Sequence, residues 1–333
     1  MNEVETKDVG TTDLSAYMMK VIEELRRDRK PPAVHIYTCT LRSFIRFSDN
    51  GEEGCSMPMQ EVFTPGRLKE YEQWMLLRKL TQNTISTYMR TLRAVYNRWM
   101  PPGTAEHNPR LFDDVYTGVV SQTKRALTAR QMEQLLEADL SGLSPQQQQA
   151  VLAYFLLMFL LRGMPFIDLA HLRKRDMQDG RITYSRHKTD KPITVRIPRE
   201  ALVLIAKYAD RHSASPYLFP ILDARIRDSW QSYRNYQDAL RHFNRKLGQV
   251  MSRLLPGVRV SSYTARHTWA TLAFHSGQPV GIISQALGHS SLRVTEAYLK
   301  PFGNELVDKA NRQLIASVRK CKWKNETEYR AGL

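Results

Sequence analysis

The sequence predicts a mainly α-helical chain of two domains, the second of which carries a small antiparallel sheet. Three observations lead there. Apolar residues recur at helical spacing through the first hundred residues, beginning with Leu14, Met18, Ile22 and Leu25 on one face of 13–28. A polar, basic, extended stretch follows near 118–127 and reads as a linker. Beyond it, "RITYS" and "ITVRI" alternate apolar and polar residues on either side of a Lys-Thr-Asp-Lys turn, the pattern of a β-hairpin. At 333 residues the chain is long enough for two separate cores.

Taken in order, Pro31 and Pro32 end the first helix and "AVHIYTCTLRSFIRF" resumes another. The clearest helix is 84–99, "TISTYMRTLRAVYNRW", with Ile85, Met89, Leu92, Val95, Tyr96 and Trp99 on one side. Its other side carries Ser86, Thr87, Arg90, Arg93 and Arg98, and "PPG" at 101–103 stops it. Such a face is either merely solvated or a set of phosphate and base-edge contacts in a major groove. On the second reading Ser86, Thr87, Arg90 and Arg93 are candidate DNA-binding residues, joined by Lys124 and Arg125 of the linker. Thr128 caps the helix that starts "ARQMEQLL", and "SPQQQQ" reads as another helix start. The run "AVLAYFLLMFLL" at 150–161 is a buried helix, since twelve residues are too few to cross a bilayer. After the hairpin the pattern is helical again, with one long stretch at 228–253.

Charge narrows the function. Forty-nine Lys and Arg against 33 Asp and Glu give a net charge of +16, which calls for a polyanionic partner. The first thirty residues lack the apolar core of a signal peptide, so a cytoplasmic nucleic-acid protein is expected and no membrane partner. Cys39, Cys55 and Cys321 are odd in number and far apart, which indicates neither a disulfide framework nor a zinc knuckle. Neither GxxxxGK[ST] nor HExxH occurs, so nucleotide hydrolysis and zincin chemistry have no motif.

What remains is a basic and neutral inventory: Arg162, Lys188, Arg266, His267, His289 and Tyr298. Cleaving a phosphodiester without a metal needs cations at the two non-bridging oxygens, where charge builds in the transition state. Guanidinium suits the task, being permanently charged and fork-shaped. A nucleophile and an acid for the departing oxygen complete the set. A tyrosine nucleophile keeps the phosphate energy in a covalent ester, so rejoining needs no ATP.

"ARHTWAT" followed by "LGHSSLRVTEAY" resembles the signature of the tyrosine site-specific recombinases, the phage-integrase family: roughly HxxR, then Gly-His, then Tyr nine residues later. "SRHKT" resembles the family's catalytic-lysine turn and "RGMPFIDLAHL" its first-arginine helix, so the resemblance covers about residues 12–318. It implies an N-terminal helical core-binding domain at 12–117, the linker at 118–127, an α+β catalytic domain at 128–318 and a tail at 319–333. Tyr298 would attack the phosphate and form a 3′-phosphotyrosyl link, while Arg266 and Arg162 hold the non-bridging oxygens. His289 would donate to the phosphate and Lys188 would protonate the 5′ oxygen, with no cofactor. His267 reads as a packed structural histidine.

Two positions depart from the family pattern. Tyr263 stands where the family usually has His, and Pro165 stands where the first arginine is expected, with Arg162 three residues earlier. That arrangement resembles a bacterial subgroup with "RGM" here, found among invertases and mobile-element integrases. Arg162 is either the displaced catalytic arginine or a cation on a helix end. The implied partners are double-stranded DNA with inverted-repeat sites and three further copies of the chain in synapsis. The segment after Lys300 is expected to pack into a neighbour through Leu314, Ile315 and Val318. Two rivals stay open: a non-catalytic DNA-binding regulator with a degenerate second domain, and a metal-dependent transposase using Asp168, Asp176 or Glu200.

Overall fold

A computed structural model of the chain describes residues 13–48, 57–120, 125–139, 146–289, 291–296, 299, 308 and 311–316. These fall into two compact units, one within 1–122 together with 226–235, the other within 123–225 and 236–333. Among the described residues the architecture is mostly helical with a single three-stranded antiparallel sheet. Among the described residues no helix is long and apolar enough to cross a membrane.

The first unit is built on α1 (Leu14–Arg27), α2 (Pro31–Ser48), α3 (Met59–Val62), α4 (Pro65–Leu77) and α5 (Gln82–Trp99). Asp13 caps α1: its Oδ1 accepts from the Ser15 N–H at 2.8 Å, and Oδ2 accepts from the Met57 N–H at 2.6 Å. The helix stops before the prolines, at Arg29, whose φ of 54° is left-handed. Pro31 and Pro32 therefore do not break α1. They open α2, where a missing N–H has no partner to lose. Leu14, Met18, Phe44, Leu68, Tyr71, Met75, Met89 and Leu92 fill the core.

Helix α5 corrects one expectation. Ser86 is fully buried (0% exposed) and so cannot lie on a DNA-facing surface. It sits one turn before Met89 on the buried stripe, because the core covers a wider face of α5 than the apolar residues alone mark out.

The second unit contains α6 (Ala129–Leu136), α7 (Gln146–Leu160), α8 (Phe166–His171), β1 (Met177–Gln178), β2 (Arg181–Ser185) and β3 (Pro192–Arg196). After these come α9 (Arg199–Tyr208), α10 (Ser229–Leu254), α11 (Ser262–His275), α12 (Val280–Leu287) and α13 (Leu292–Glu296). Thr128 caps α6 in a box with Gln131. Residues Val151 to Met158 of α7 are all buried, so the apolar run is a core helix. The hairpin is in the expected place: Ile182 pairs with Val195 and Tyr184 with Ile193, all buried, while Arg181, Thr183, Ser185, Thr194 and Arg196 face out.

Candidate active site and nucleic-acid interface

Arg266, on the second turn of α11, is the largest side chain in the fully buried set, at 2% exposure. A buried guanidinium needs acceptors. Its Nη1 donates to Gly163 O at 2.9 Å and its Nη2 to Leu287 O at 2.6 Å. Nη2 also lies 2.9 Å from His289 Nε2.

The Gly-His pair has a physical reason. Gly288 ends α12 in the left-handed region (φ 64°), and the His289 N–H reaches back to Ser284 O at 3.0 Å. That turn delivers His289 to Arg266. Gly288 also has no room for a side chain: a Cβ there would stand 2.6 Å from Ile193 Cδ1 and 2.9 Å from Arg186 Cδ.

Guanidinium can only donate, so His289 Nε2 is the unprotonated nitrogen and Nδ1–H donates to Thr295 Oγ1 at 2.9 Å. Burial first, then the charges of Arg266, Arg186 and Lys188, hold the imidazole down to about 3. His289 is neutral at physiological pH and acts as an acceptor toward Arg266. In this arrangement its Nδ1 proton is turned to Thr295 Oγ1.

Sequence reasoning missed Arg186. It is 6% exposed, and its Nη1 donates to Leu287 O at 3.0 Å and to Gly288 O at 3.2 Å. Its Nε faces Asp168 Oδ2 at 3.6 Å, and Asp168 Oδ1 accepts the His187 N–H at 2.9 Å. Burial pushes the Asp168 carboxyl up, opposed by that backbone bond and by Arg186 and Arg266. The ion pair is part of the hairpin's anchorage to α8.

Arg162 does not reach this group. Helix α7 ends at Leu160, and the chain leaves it through two successive left-handed residues, Arg162 (φ 60°) and Gly163 (φ 67°). A helical continuation that would carry Arg162 to the position of residue 165 is therefore absent. Its Nη1 instead lies 3.4 Å from Thr194 O on the outer face of β3. Lys188 is exposed in the hairpin turn, close enough for its charge to act on His289. Tyr263 is 46% exposed at the start of α11, edge-on to His267 with ring centroids 5.3 Å apart.

Tyr298 and Lys124 lie outside the described residues. On either side of Tyr298, Thr295 is buried against His289, and Leu299 packs with Ala270, Ile283 and Leu287.

In the first unit, Thr87 is half-buried and its hydroxyl donates to Asn83 O at 2.8 Å. Arg90 is exposed, while Arg93 is half-buried with its guanidinium over the Phe112 ring at 5.6 Å. Arg125 is exposed. The denser basic surface is elsewhere: Arg42, Arg46 and Arg78 line one depression with Trp74 and Tyr88, and Arg78 lies over Trp74 at 4.2 Å. Helical spacing could have shown Arg42 and Arg46 on one face of α2.

The three carboxylates of the metal-dependent rival do not assemble. Asp168 is committed to Arg186 and His187, and Asp176 accepts the Arg173 N–H at 2.8 Å. Among the described residues no three His, Cys, Asp or Glu form a metal-binding group.

A helical N-terminal unit, followed by a mostly helical unit whose one small sheet flanks an arginine–histidine cluster, places the chain in the integrase class of folds. The chain belongs to the phage integrase family. Residues 125–305 match that family, and 13–113 match the phage integrase SAM-like domain. It is 29% identical over 155 residues to the tyrosine recombinase XerA of Pyrococcus furiosus, covering 45% of this chain and 51% of that one. It is 28% identical over 178 residues to XerA of Thermococcus kodakarensis, covering 53% of this chain and 58% of the relative. The chain thus spans little more than half the length of these two relatives. The tyrosine recombinase XerC of Halalkalibacterium halodurans is 23% identical over 286 residues, covering 86% of this chain and 91% of the relative. Among solved structures, the Tn1549 transposon integrase in complex with a circular intermediate DNA aligns with a TM-score of 0.63 at 15% identity, covering 91% of this chain and all of that one. A lambda integrase dimer bound to a COC′ core site aligns at 0.60 and 15% identity, covering 86% and 95%.

Proposed function

We propose that the chain is a site-specific DNA recombinase that cuts and rejoins strands through a 3′-phosphotyrosyl intermediate. The observation that carries this reading is the pair of buried guanidiniums, Arg186 and Arg266, converging on Leu287 O beside a neutral His289. The two guanidiniums would face the non-bridging oxygens of a scissile phosphate, where transition-state charge develops. Tyr298 Oη gives up its proton to solvent and forms the new bond to phosphorus as the bond to the 5′ oxygen breaks, and Lys188 Nζ supplies that oxygen's proton. The reverse sequence reseals the strand without ATP, and no step requires a metal ion. His289 orients Arg266 through Nε2.

Arg186, in place of Arg162, fills the role left open by Pro165. It is buried, hydrogen-bonded beside Arg266 and backed by a carboxylate; Arg162 has none of these attributes. Residues 12–117 would serve as the DNA-binding domain, 118–127 as the linker, 128–318 as the catalytic domain and 319–333 as the tail. Double-stranded DNA with inverted-repeat sites is the substrate, bound by four copies in synapsis, and the outcome is inversion or mobile-element integration. Leu314 and Ile315 are exposed, which suits packing of that segment into a neighbouring copy.

A suicide substrate nicked near the cleavage site tests the reading. The chain should trap a covalent protein–DNA adduct, and Tyr298→Phe should bind the same DNA with equal affinity and trap none. Binding without any adduct would instead mark a non-catalytic DNA-binding regulator.

A further inference from the structure

Helix α8 is six residues long, yet it presents two side chains to the turn that carries Arg186 and Lys188. Asp168 holds the backbone N–H of His187 at 2.9 Å. One helical turn further on, His171 lays its ring on that of His187, with centroids 4.8 Å apart and planes inclined by 25°. The separation and tilt are those of a stacked pair.

The His171 ring is fixed from several sides. Its Nδ1 lies 2.8 Å from Ile167 O, and because a carbonyl only accepts, Nδ1 carries the proton. Tyr236 lies against it at 5.8 Å and Tyr217 meets it edge-on at 6.4 Å. Burial pushes its pKa down, opposed by the Ile167 bond, so the ring that faces His187 is neutral. The turn itself is tight: Arg186 N–H donates to Lys191 O at 2.9 Å, and Asp190 N–H to Arg186 O at 2.8 Å with φ of 51° at Asp190. Those bonds fix the turn internally. They do not fix how it is aimed relative to α8.

We propose that His171 is a positioning residue: by stacking on His187 it aims the hairpin turn so that Lys188 reaches the leaving oxygen. Asp168 anchors the Arg186 end of the turn through its backbone, and the His171–His187 stack anchors the side facing Lys188. His171 is in the middle of a short chain of ring contacts, from Tyr236 to His187, one residue before Lys188. Removing either ring leaves the turn held only on its Arg186 side, by Asp168 and by the carbonyls at the end of α12, with Lys188 free to swing.

The inference rests on the strand-transfer reading, and the experiment separates the two. Single-turnover cleavage is measured on a nicked suicide substrate with the natural 5′ oxygen, and on one with sulfur at that bridging position. Sulfur leaves as a thiolate, whose conjugate acid has a pKa near ~8.5, and so needs no proton donor. His171→Ala should slow cleavage of the oxygen substrate about tenfold, a fraction of the ~10²–10⁴ that a positioned general acid contributes. It should leave DNA affinity and the rate on the sulfur substrate within about twofold of the parent, because only proton delivery is impaired. His171→Phe keeps a ring to stack on and should restore most of the loss. His187→Ala, altered from the exposed side of the stack, should reproduce the His171→Ala pattern even if the latter folds poorly.

Equal slowing on both substrates, or no slowing, overturns the proposal. Amide hydrogen exchange gives a readout independent of cleavage: His187 and Asp190 should exchange faster in His171→Ala and at the parent rate in His171→Phe. Unchanged exchange in His171→Ala also overturns it. A parent chain that forms no adduct on either substrate defeats the strand-transfer reading, and exchange still decides whether the stack aims the turn.

Discussion

Arg186 and Arg266 donate to the same oxygen, the carbonyl of Leu287, at 3.0 Å and 2.6 Å. The two cations come from elements 80 residues apart in sequence, the end of β2 and the second turn of α11, and a single peptide unit sets their spacing. Like charges so close are tolerable only where acceptors surround them. Here those acceptors are Gly163 O, Leu287 O and Gly288 O, with the Asp168 carboxylate a counter-ion 3.6 Å from Arg186 Nε.

Arg186→Gln should therefore lower cleavage of a nicked suicide substrate by ~10²–10³ while DNA affinity changes little, since one transition-state donor is lost. Arg186→Lys should recover little, because an ammonium cannot hold two carbonyls and a phosphate in one fork. Arg162→Ala should cleave within a few-fold of the parent. The opposite ranking would return the first-arginine role to Arg162.

Gly288→Ala should unfold more readily. The added Cβ meets Ile193 Cδ1 at 2.6 Å and Arg186 Cδ at 2.9 Å, at a backbone φ of 64°. Overpacking and left-handed strain each cost about 1–3 kcal/mol. A denaturant titration reads the loss, and the cleavage rate should fall with it because Arg186 is the atom group displaced.

His289 links stability to pH. Its folded-state pKa of about 3 is below the ordinary 6.5, so the unfolded chain binds the proton first as pH falls. Stability from this group is complete above about 6.5 and is lost progressively toward about 3. Asp168, whose carboxyl is pushed up, acts in the opposite sense at acid pH. Unfolding free energy measured from pH 7 to pH 4 should thus fall less steeply in His289→Gln than in the parent. Parallel curves would mean that His289 is not the group responsible.

Ser86→Ala should leave DNA affinity within about twofold of the parent. The Ser86 hydroxyl is buried and has no hydrogen-bond partner, and removing such a group is neutral or stabilising. Arg42→Ala, Arg46→Ala and Arg90→Ala should instead weaken binding and flatten its salt dependence, each by about one phosphate contact. Binding that does not vary with salt would contradict a phosphate-contacting surface.

The hairpin was legible because strict alternation has one cause, a sheet with one face buried, and Ile182, Tyr184, Ile193 and Val195 obey it. Arg266 and His289 were legible as residue types in a motif. Arg186 was not, because an arginine at a strand end reads as solvent-facing until the fold brings Asp168 and the end of α12 against it. The position of Arg162 was not legible for a related reason: two successive left-handed residues, Arg162 and Gly163, end the helix there, and an added Cβ on Gly163 would lie 3.1 Å from Arg266 Cα. Ser86 misled because helical spacing shows where apolar residues are, and a small polar one can share their stripe.

Leu287 is the last residue of α12, so the carbonyls that gather the arginines are the negative end of a helix. A helix end carries roughly half an elementary charge, held by peptide groups that cannot be protonated or swung away. Here that partial charge is joined at Arg186 by the Asp168 carboxylate, 3.6 Å from Nε. Had a second acid stood in place of the helix end, the incoming phosphate would have to displace it. Built this way, on the proposed reading, the site would keep its positive charge available for a DNA phosphate to neutralise.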